Sequence, residues 1–120
     1  MHYYIFNAIA ASREEIAGFL RVGTWRVDTA ERHASALAVG DRVLIYLGAP
    51  AREFIGRAEL ASADSAGGVL LAQIEEWDPP VAMDAVLAQL SSNPYAKGDF
   101  DTGVVLITEH EYDVVVALAT

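Results

Sequence analysis

The sequence predicts an α+β domain in which a strongly curved mixed sheet, or a small barrel, is surrounded by helices. Three observations predict it. Runs of apolar, β-branched and aromatic residues alternate with segments of helical spacing in the order β-α-β-α-β-β-β-α-β-α, so hairpins join some strands and helices join others. Helix starts and stops are written locally, as S/T-x-x-E boxes and a glycine. The 120 residues, 53% of them hydrophobic and 21% charged, suffice for one core and are too few for two, so residues 1–120 are read as a single domain.

Residues 2 to 8, His-Tyr-Tyr-Ile-Phe-Asn-Ala, form the first strand, a central one, with Asn7 near its end. Ser12 and Glu15 have capping-box spacing and open a helix that runs to about Val22. Its apolar residues Ile16, Phe19 and Leu20 fall at i, i+3 and i+4, one face toward the core, and Gly23 stops it in a left-handed cap. Trp25 follows that stop directly. Asp28 and Glu31 repeat the capping spacing and predict a short helix from Thr29 to about Leu37. Gly40-Asp41 turns into a strand from Arg42 to Leu47, which pairs as a hairpin with Phe54 to Leu60, where Gly56 permits a bulge or a close backbone approach. Val69 to Trp77 is a further strand, broken by Asp78-Pro79-Pro80. Met83, Val86, Leu87 and Leu90 lie on one stripe of an amphipathic helix, and Ser91 to Thr102 reads as an irregular loop carrying Tyr95, Lys97 and Phe100. A short strand, Val104 to Ile107, precedes a third box at Thr108 and Glu111 and a closing helix.

Composition excludes several classes of chemistry. Without cysteine there is no disulfide, thiolate nucleophile or cysteine-ligated zinc. No apolar run approaches the roughly 20 residues that span a bilayer, and the N-terminus lacks a basic region before a long apolar one. A cytoplasmic location without a membrane partner is expected. The net charge of −9 is unevenly divided. Residues 1–60 hold seven Arg and seven acids, a balance of zero, whereas residues 61–120 hold Lys97 against ten acids, a balance of −9. Every Arg lies between Arg13 and Arg57, so only the first half tolerates an anionic partner.

His2, His33 and His110 are far apart and show no metal-ligand spacing, and neither a nucleophile elbow nor a phosphate-binding glycine motif is present. No metal or other cofactor is expected. Glu75, Glu76 and Asp78 gather at a strand end, where a run of charge ordinarily marks a solvated edge. What remains is aromatic: Trp25, Tyr46, Trp77, Tyr95 and Phe100, with Tyr3, Tyr4 and Phe6. Such rings at the rim of a small sheet stack on planar ligands, and Asn7 or Thr24 could supply the polar partners that the edge of a base needs. For Trp25 the residues alone leave core and ligand contact equally open; Trp77, Tyr3 and Phe6 read as core.

Taken together, Tyr3-Tyr4-Ile5-Phe6-Asn7, the capped helix, Gly23-Thr24-Trp25-Arg26-Val27, Arg32-His33, Val39-Gly40-Asp41-Arg42-Val43-Leu44-Ile45-Tyr46 and Ile55-Gly56-Arg57-Ala58-Glu59-Leu60 resemble the EVE family, relatives of the YTH and PUA domains. The likeness covers the first sixty residues and continues more loosely to the closing helix. It implies a PUA-like fold, a curved sheet or pseudo-barrel ringed by helices, with a pocket that in this superfamily takes a modified or flipped nucleobase: N6-methyladenine in RNA for YTH domains, modified cytosine in DNA for EVE domains. Carried onto this chain, Trp25 walls the pocket, Asn7 delivers a polar group, Tyr46 ends the strand beneath, and His33 orients its helix or touches a phosphate. Arg26 stands where many members have glycine, and there it narrows the pocket or contacts a phosphate.

The expectation is therefore a non-enzymatic module that binds modified DNA or RNA, or a nucleotide-like small molecule, through Asn7, Thr24, Trp25, Arg26, His33 and Tyr46, with Arg13, Arg21 and Arg32 meeting phosphates. Two alternatives stay open: a protein-interaction domain whose acidic half, including Asp99 and Asp101, docks a basic partner, and a small enzyme acting on a nucleotide-like substrate.

Overall fold

A computed structural model describes residues 1–8, 12–28, 30, 33–48, 51–64, 67–90 and 103–119. Its elements are β1 (Tyr3–Ala8), α1 (Arg13–Val22), β2 (Thr24–Arg26), a 3-10 turn (Ala34–Ala36), β3 (Arg42–Leu47), β4 (Glu53–Ala63), β5 (Gly68–Ala82), α2 (Met83–Gln89), β6 (Val104–Ile107) and α3 (Glu109–Ala119). The six strands form one mixed sheet in the order β2-β5-β4-β3-β1-β6, with β1 parallel to β3 and the other pairs antiparallel. β1 is internal, as its apolar sequence predicts.

The sheet is curled because its two longest strands do not keep step. The β4–β5 ladder shifts register at Phe54/Gly56, Arg57/Glu59 and Leu60/Ser62, and each irregularity adds local twist and bend. Gly56 sits at the tightest crossing: a Cβ there would run into the backbone carbonyl of Glu75, so the approach requires glycine.

Side-chain alternation along β1 and β3 sorts the core into two layers. Tyr4, Phe6, Val43 and Ile45 share one layer with Ile16 and Leu20 of α1 and with Trp25, Val69 and Leu71. Ile5, Leu44 and Tyr46 share the other with Phe54, Trp77, Met83 and Val86, and with Tyr112 and Val115 of α3. Helix α1 therefore covers one face of the sheet, and α2 with α3 the opposite face.

The predicted caps are present. Ser12 Oγ accepts from the Glu15 amide at 3.2 Å while Glu15 Oε1 accepts from the Ser12 amide at 3.3 Å. Thr108 and Glu111 repeat the exchange at 3.1 and 2.8 Å. Gly23 closes α1 at φ 81°, its amide donating to the Phe19 carbonyl at 2.9 Å.

Two expectations are corrected. Asp78-Pro79-Pro80 does not end the strand: β5 continues to Ala82, because these residues fall in the register break between the Glu76–Gly56 and Val81–Phe54 pairs, where no ladder amide is required of proline. The helix predicted from Thr29 to Leu37 is, among the described residues, a single 3-10 turn at Ala34–Ala36; Thr29, Glu31 and Arg32 lie outside them. Asp28 Oδ1 accepts from the Ala30 amide at 2.9 Å, an i+2 contact of the Asx type. Beyond the turn, the buried Asp41 carboxylate draws the chain away from helix. It accepts from the Ala38 amide and from the His2 amide, each at 3.0 Å, joining the start of β1 to the entry of β3.

Two substitutions of one kind distinguish these constraints. Gly18 lies inside α1 with nothing within 4 Å of an added Cβ, so Gly18→Ala should raise stability by about 0.5–1 kcal/mol. Gly23→Ala must hold the left-handed cap with its Cβ 3.3 Å from the Leu71 carbonyl, and should lower stability by about 1–2 kcal/mol. Urea denaturation midpoints that moved in the same direction would contradict this account.

Candidate functional site

The curl of the sheet brings its first and fifth strands together at a seam. β2 stands first in the strand order and β1 fifth, yet Phe6 of β1 and Trp25 of β2 stack with ring centroids 5.9 Å apart and planes 23° from parallel. At the mouth of that seam lies a cleft of about 730 Å³, within the size range of small-molecule sites. Asn7 and Ala8 at the end of β1, Phe19 of α1, the paired residues 24–26 of β2 and Gly68 to Leu70 of β5, and Asp28, Ser62, Asp64 and Gly103 line it.

Local sequence rules place these side chains. The left-handed turn at Gly23 brings the chain back beside β5, where Gly23 accepts from the Leu71 amide at 2.8 Å and Trp25 pairs with Val69. The β4–β5 turn is held by Asp64, whose Oδ1 accepts from the Gly68 amide at 3.0 Å. A Cβ on Gly68 would come within 2.7 Å of Asp64 Oδ2, so the carboxylate occupies the space that glycine leaves.

Trp25 belongs to the buried core, one of the two readings left open by its sequence context, and it also borders the cleft. It is 9% exposed, with one face covered by Phe6 and the ring of Phe19 set edge-on at 5.7 Å and 80°. The accessible aromatic of the cleft lining is Phe19, 44% exposed. Phe19 is thus corrected from a core residue to a rim residue.

Of the residues expected to bind ligand, Asn7, Thr24, Trp25 and Arg26 come together here. Asn7 is buried, and a Cβ on Gly48 would lie 3.3 Å from its Oδ1, so the carboxamide is fitted against β3's exit. Tyr46 belongs to the opposite layer, packed on Phe54 at 4.9 Å; burial pushes its hydroxyl above the ordinary phenol range, against the opposing pull of Arg52. The alternation that puts Ile45 beside Trp25 puts Tyr46 away from it. His33 precedes the 3-10 turn, 6.3 Å from the Tyr4 ring, next to a smaller depression of about 320 Å³ lined by Val27, Ala34 and Leu37. Arg13 begins α1, a helix length from Gly23, and faces Glu53 at 3.9 Å beside Trp77 and Asp78. Arg21 is exposed in the last turn of α1 and does not line the cleft, and Arg32 lies outside the described residues, as do Tyr95, Lys97, Asp99, Phe100 and Asp101.

Phe19, Leu70, Asp28, Ser62 and Asp64 are lining residues that the sequence reading did not select. A signal existed for Phe19: its carbonyl receives the Gly23 cap, and the residue at that position packs against whatever follows the glycine. Among the described lining residues two carboxylates accompany one guanidinium, so the cleft offers acceptors to ligand N–H groups and little attraction to phosphate. No group of three or more His, Asp or Glu residues placed to hold a metal occurs among the described residues. No described helix is long and apolar enough to cross a membrane.

The acidic cluster at Glu75 is a structural network. Glu75 Oε1 accepts from Trp77 Nε1 at 2.8 Å and Oε2 from Arg57 Nη2 at 3.1 Å. The indole bond first, then the guanidinium, hold the Glu75 carboxyl below the usual glutamate range.

No family model matches the sequence, and neither does any curated protein. Solved structures do match. A protein of Pseudomonas putida superposes with a TM-score of 0.70 at 18% identity over 98% of this chain and 99% of that one. The ASCH protein of Zymomonas mobilis gives 0.66 at 14% identity over 99% and 96%. The YTH domain of Mmi1 gives 0.62 at 15% identity over 98% and 75%. The fold is PUA-like. At these identities the likeness concerns the fold, and within it the seam and its cleft are built from this chain's own residues.

A depressed Glu75 pKa gives a signed expectation: its contribution is complete above the unfolded value and is lost as pH falls through the folded one. The Trp77 indole N–H resonance should titrate with a midpoint below that of an ordinary glutamate, and Glu75→Gln should abolish the step. A midpoint at or above the ordinary value would remove the indole bond from this network.

Proposed function

We propose that this chain is a non-enzymatic nucleic-acid recognition domain of the EVE type, and that its seam cleft receives a modified or flipped nucleobase. One observation carries the reading: the opening in the sheet is an aromatic-walled cleft of about 730 Å³ bordered by polar groups suited to the edge of a base. Trp25 forms the wall, while Asn7, Thr24 and Ser62 add groups that donate and accept, and Asp28 and Asp64 add acceptors. The shared PUA-like fold supports the reading, and the YTH domain of Mmi1 has also been solved in complex with RNA. Arg26, on the cleft wall, is the residue best placed to meet a phosphate.

The test is a titration with DNA and RNA oligonucleotides carrying methylated or unmodified bases, read by tryptophan fluorescence at low salt. The wild type should prefer one modified strand. Stacking on a base is worth about 1–3 kcal/mol, so Trp25→Ala should weaken binding by roughly 5- to 150-fold. The same change removes a core side chain and should cost about 3–5 kcal/mol of stability, so Trp25→Phe, which keeps a ring there, serves as the folded control. Equal affinity for modified and unmodified strands, or full binding by Trp25→Ala, would refute the reading.

A further inference from the structure

A second polar site lies on the face of the sheet that α3 covers, and among the described residues it shares no lining side chain with the seam cleft. It is a depression of about 360 Å³ beside Tyr112 of α3, lined by Arg42, Arg57, Glu59, Gln73 and Glu75 of β3, β4 and β5. Strand register brings the charges together, Arg42 opposite Glu59 and Arg57 opposite Glu75. The two pairs are not equivalent. Glu75 is occupied on both oxygens, by Trp77 Nε1 and by Arg57, and the Arg57 guanidinium also reaches the Tyr112 hydroxyl. Arg42 and Glu59 are held loosely. Their ion pair is 3.5 Å long, both side chains are partly exposed, and the buried Arg42 Nε makes no hydrogen bond among the described residues.

Gln73 reaches the depression from an irregular stretch of backbone. It falls in the register break between the Arg57–Glu75 and Glu59–Ala72 pairs, and its φ of 52° is left-handed. A side chain carries a steric penalty there that glycine would avoid, and a bulge of this kind re-aims the residue it holds. Its carboxamide adds a donor and an acceptor to the lining. A ligand therefore meets one loosely held guanidinium, one loosely held carboxylate, an amide and the Tyr112 O–H.

We propose that this depression binds a free α-amino acid, its carboxylate taken by Arg42 with the Tyr112 O–H and the Gln73 amide, and its ammonium by Glu59. Charge balance selects a ligand of this class. Arg42 and Arg57 against Glu59 and Glu75 leave the lining formally neutral, so a simple anion or cation gains no net attraction, whereas a zwitterion finds a charge-assisted partner at each end. Parting Arg42 from Glu59 costs little, because a partly exposed ion pair contributes little.

The probes are the common free amino acids and, for each that binds, its N-acetyl and methyl-ester forms. Calorimetric titration gives the affinity, and the Trp77 indole N–H resonance, whose acceptor Glu75 lines the depression, reports the location. At least one amino acid should bind saturably and shift that resonance. Its N-acetyl and ester forms should each bind at least about tenfold weaker, the loss expected for one charge-assisted hydrogen bond. Arg42→Gln and Glu59→Gln should weaken binding to a similar degree, and Trp25→Phe, in the other site, should leave it unchanged. Gln73→Gly supplies a readout that a purely structural role would not move: it relieves the left-handed backbone, so stability should hold or rise while affinity falls. Absence of any amino-acid binding, equal binding by the N-acetyl or ester form, full affinity in both Arg42→Gln and Glu59→Gln, full affinity in Gln73→Gly, or loss of binding in Trp25→Phe would each overturn the proposal.

Discussion

Phe6 and Trp25 belong to strands four places apart in the sheet order, and their stacked rings close a curl that the hydrogen-bond ladder leaves open. Two independent features must be right for this contact to exist. The register shifts of β4 against β5 supply the bend, with Gly56 allowing the backbones to cross closely. The parallel pairing of β1 with β3 then decides which residues face inward, since a slip of one residue would exchange Phe6 for Ile5 or Asn7. A parallel pair needs a crossover, and this one carries α1, β2 and the 3-10 turn between its strands. The segment that bears Trp25 is therefore also the one that connects the two central strands.

The polar interactions divide along the same line. Asp41 is buried and joins the start of β1 to the entry of β3, a covered position where loss of the carboxylate would leave two amides without acceptors. Glu75, Arg57 and Trp77 form an open network on β4 and β5, where solvent and salt reduce the worth of the ion pair. Burial raises the Tyr112 hydroxyl above the ordinary phenol range, while the Arg57 guanidinium pulls the other way, so α3 meets the sheet beside that network.

Most of the element order was readable from residues because it is written locally. Ser12 with Glu15, Thr108 with Glu111, and Gly23 each specify a helix end through bonds made within a few residues. What local pattern could not supply was the response of a partner strand. Asp78-Pro79-Pro80 has the composition of a stop, but the ladder facing it makes no demand on those amides and the strand passes through. The site was readable to the same degree. Asn7, Thr24, Trp25 and Arg26 adjoin one turn and one strand end, and they do line one cleft. Tyr46, which the family resemblance puts beneath the pocket, faces the opposite layer, because the face shared between strands depends on their register. Phe19 was missed because spacing along a helix marks an apolar stripe without showing where the stripe leaves the core.

The three-residue strand β2 joins the sheet through β5 alone, and it carries a residue that seals the core and walls the cleft. Local opening at that edge would disrupt both together. Occupancy and folding are then linked through one indole: a ligand that requires the closed edge, present at a hundred times its dissociation constant, would add about 2.7 kcal/mol against unfolding. A melting experiment on this chain would accordingly report on cleft occupancy without any label on the ligand.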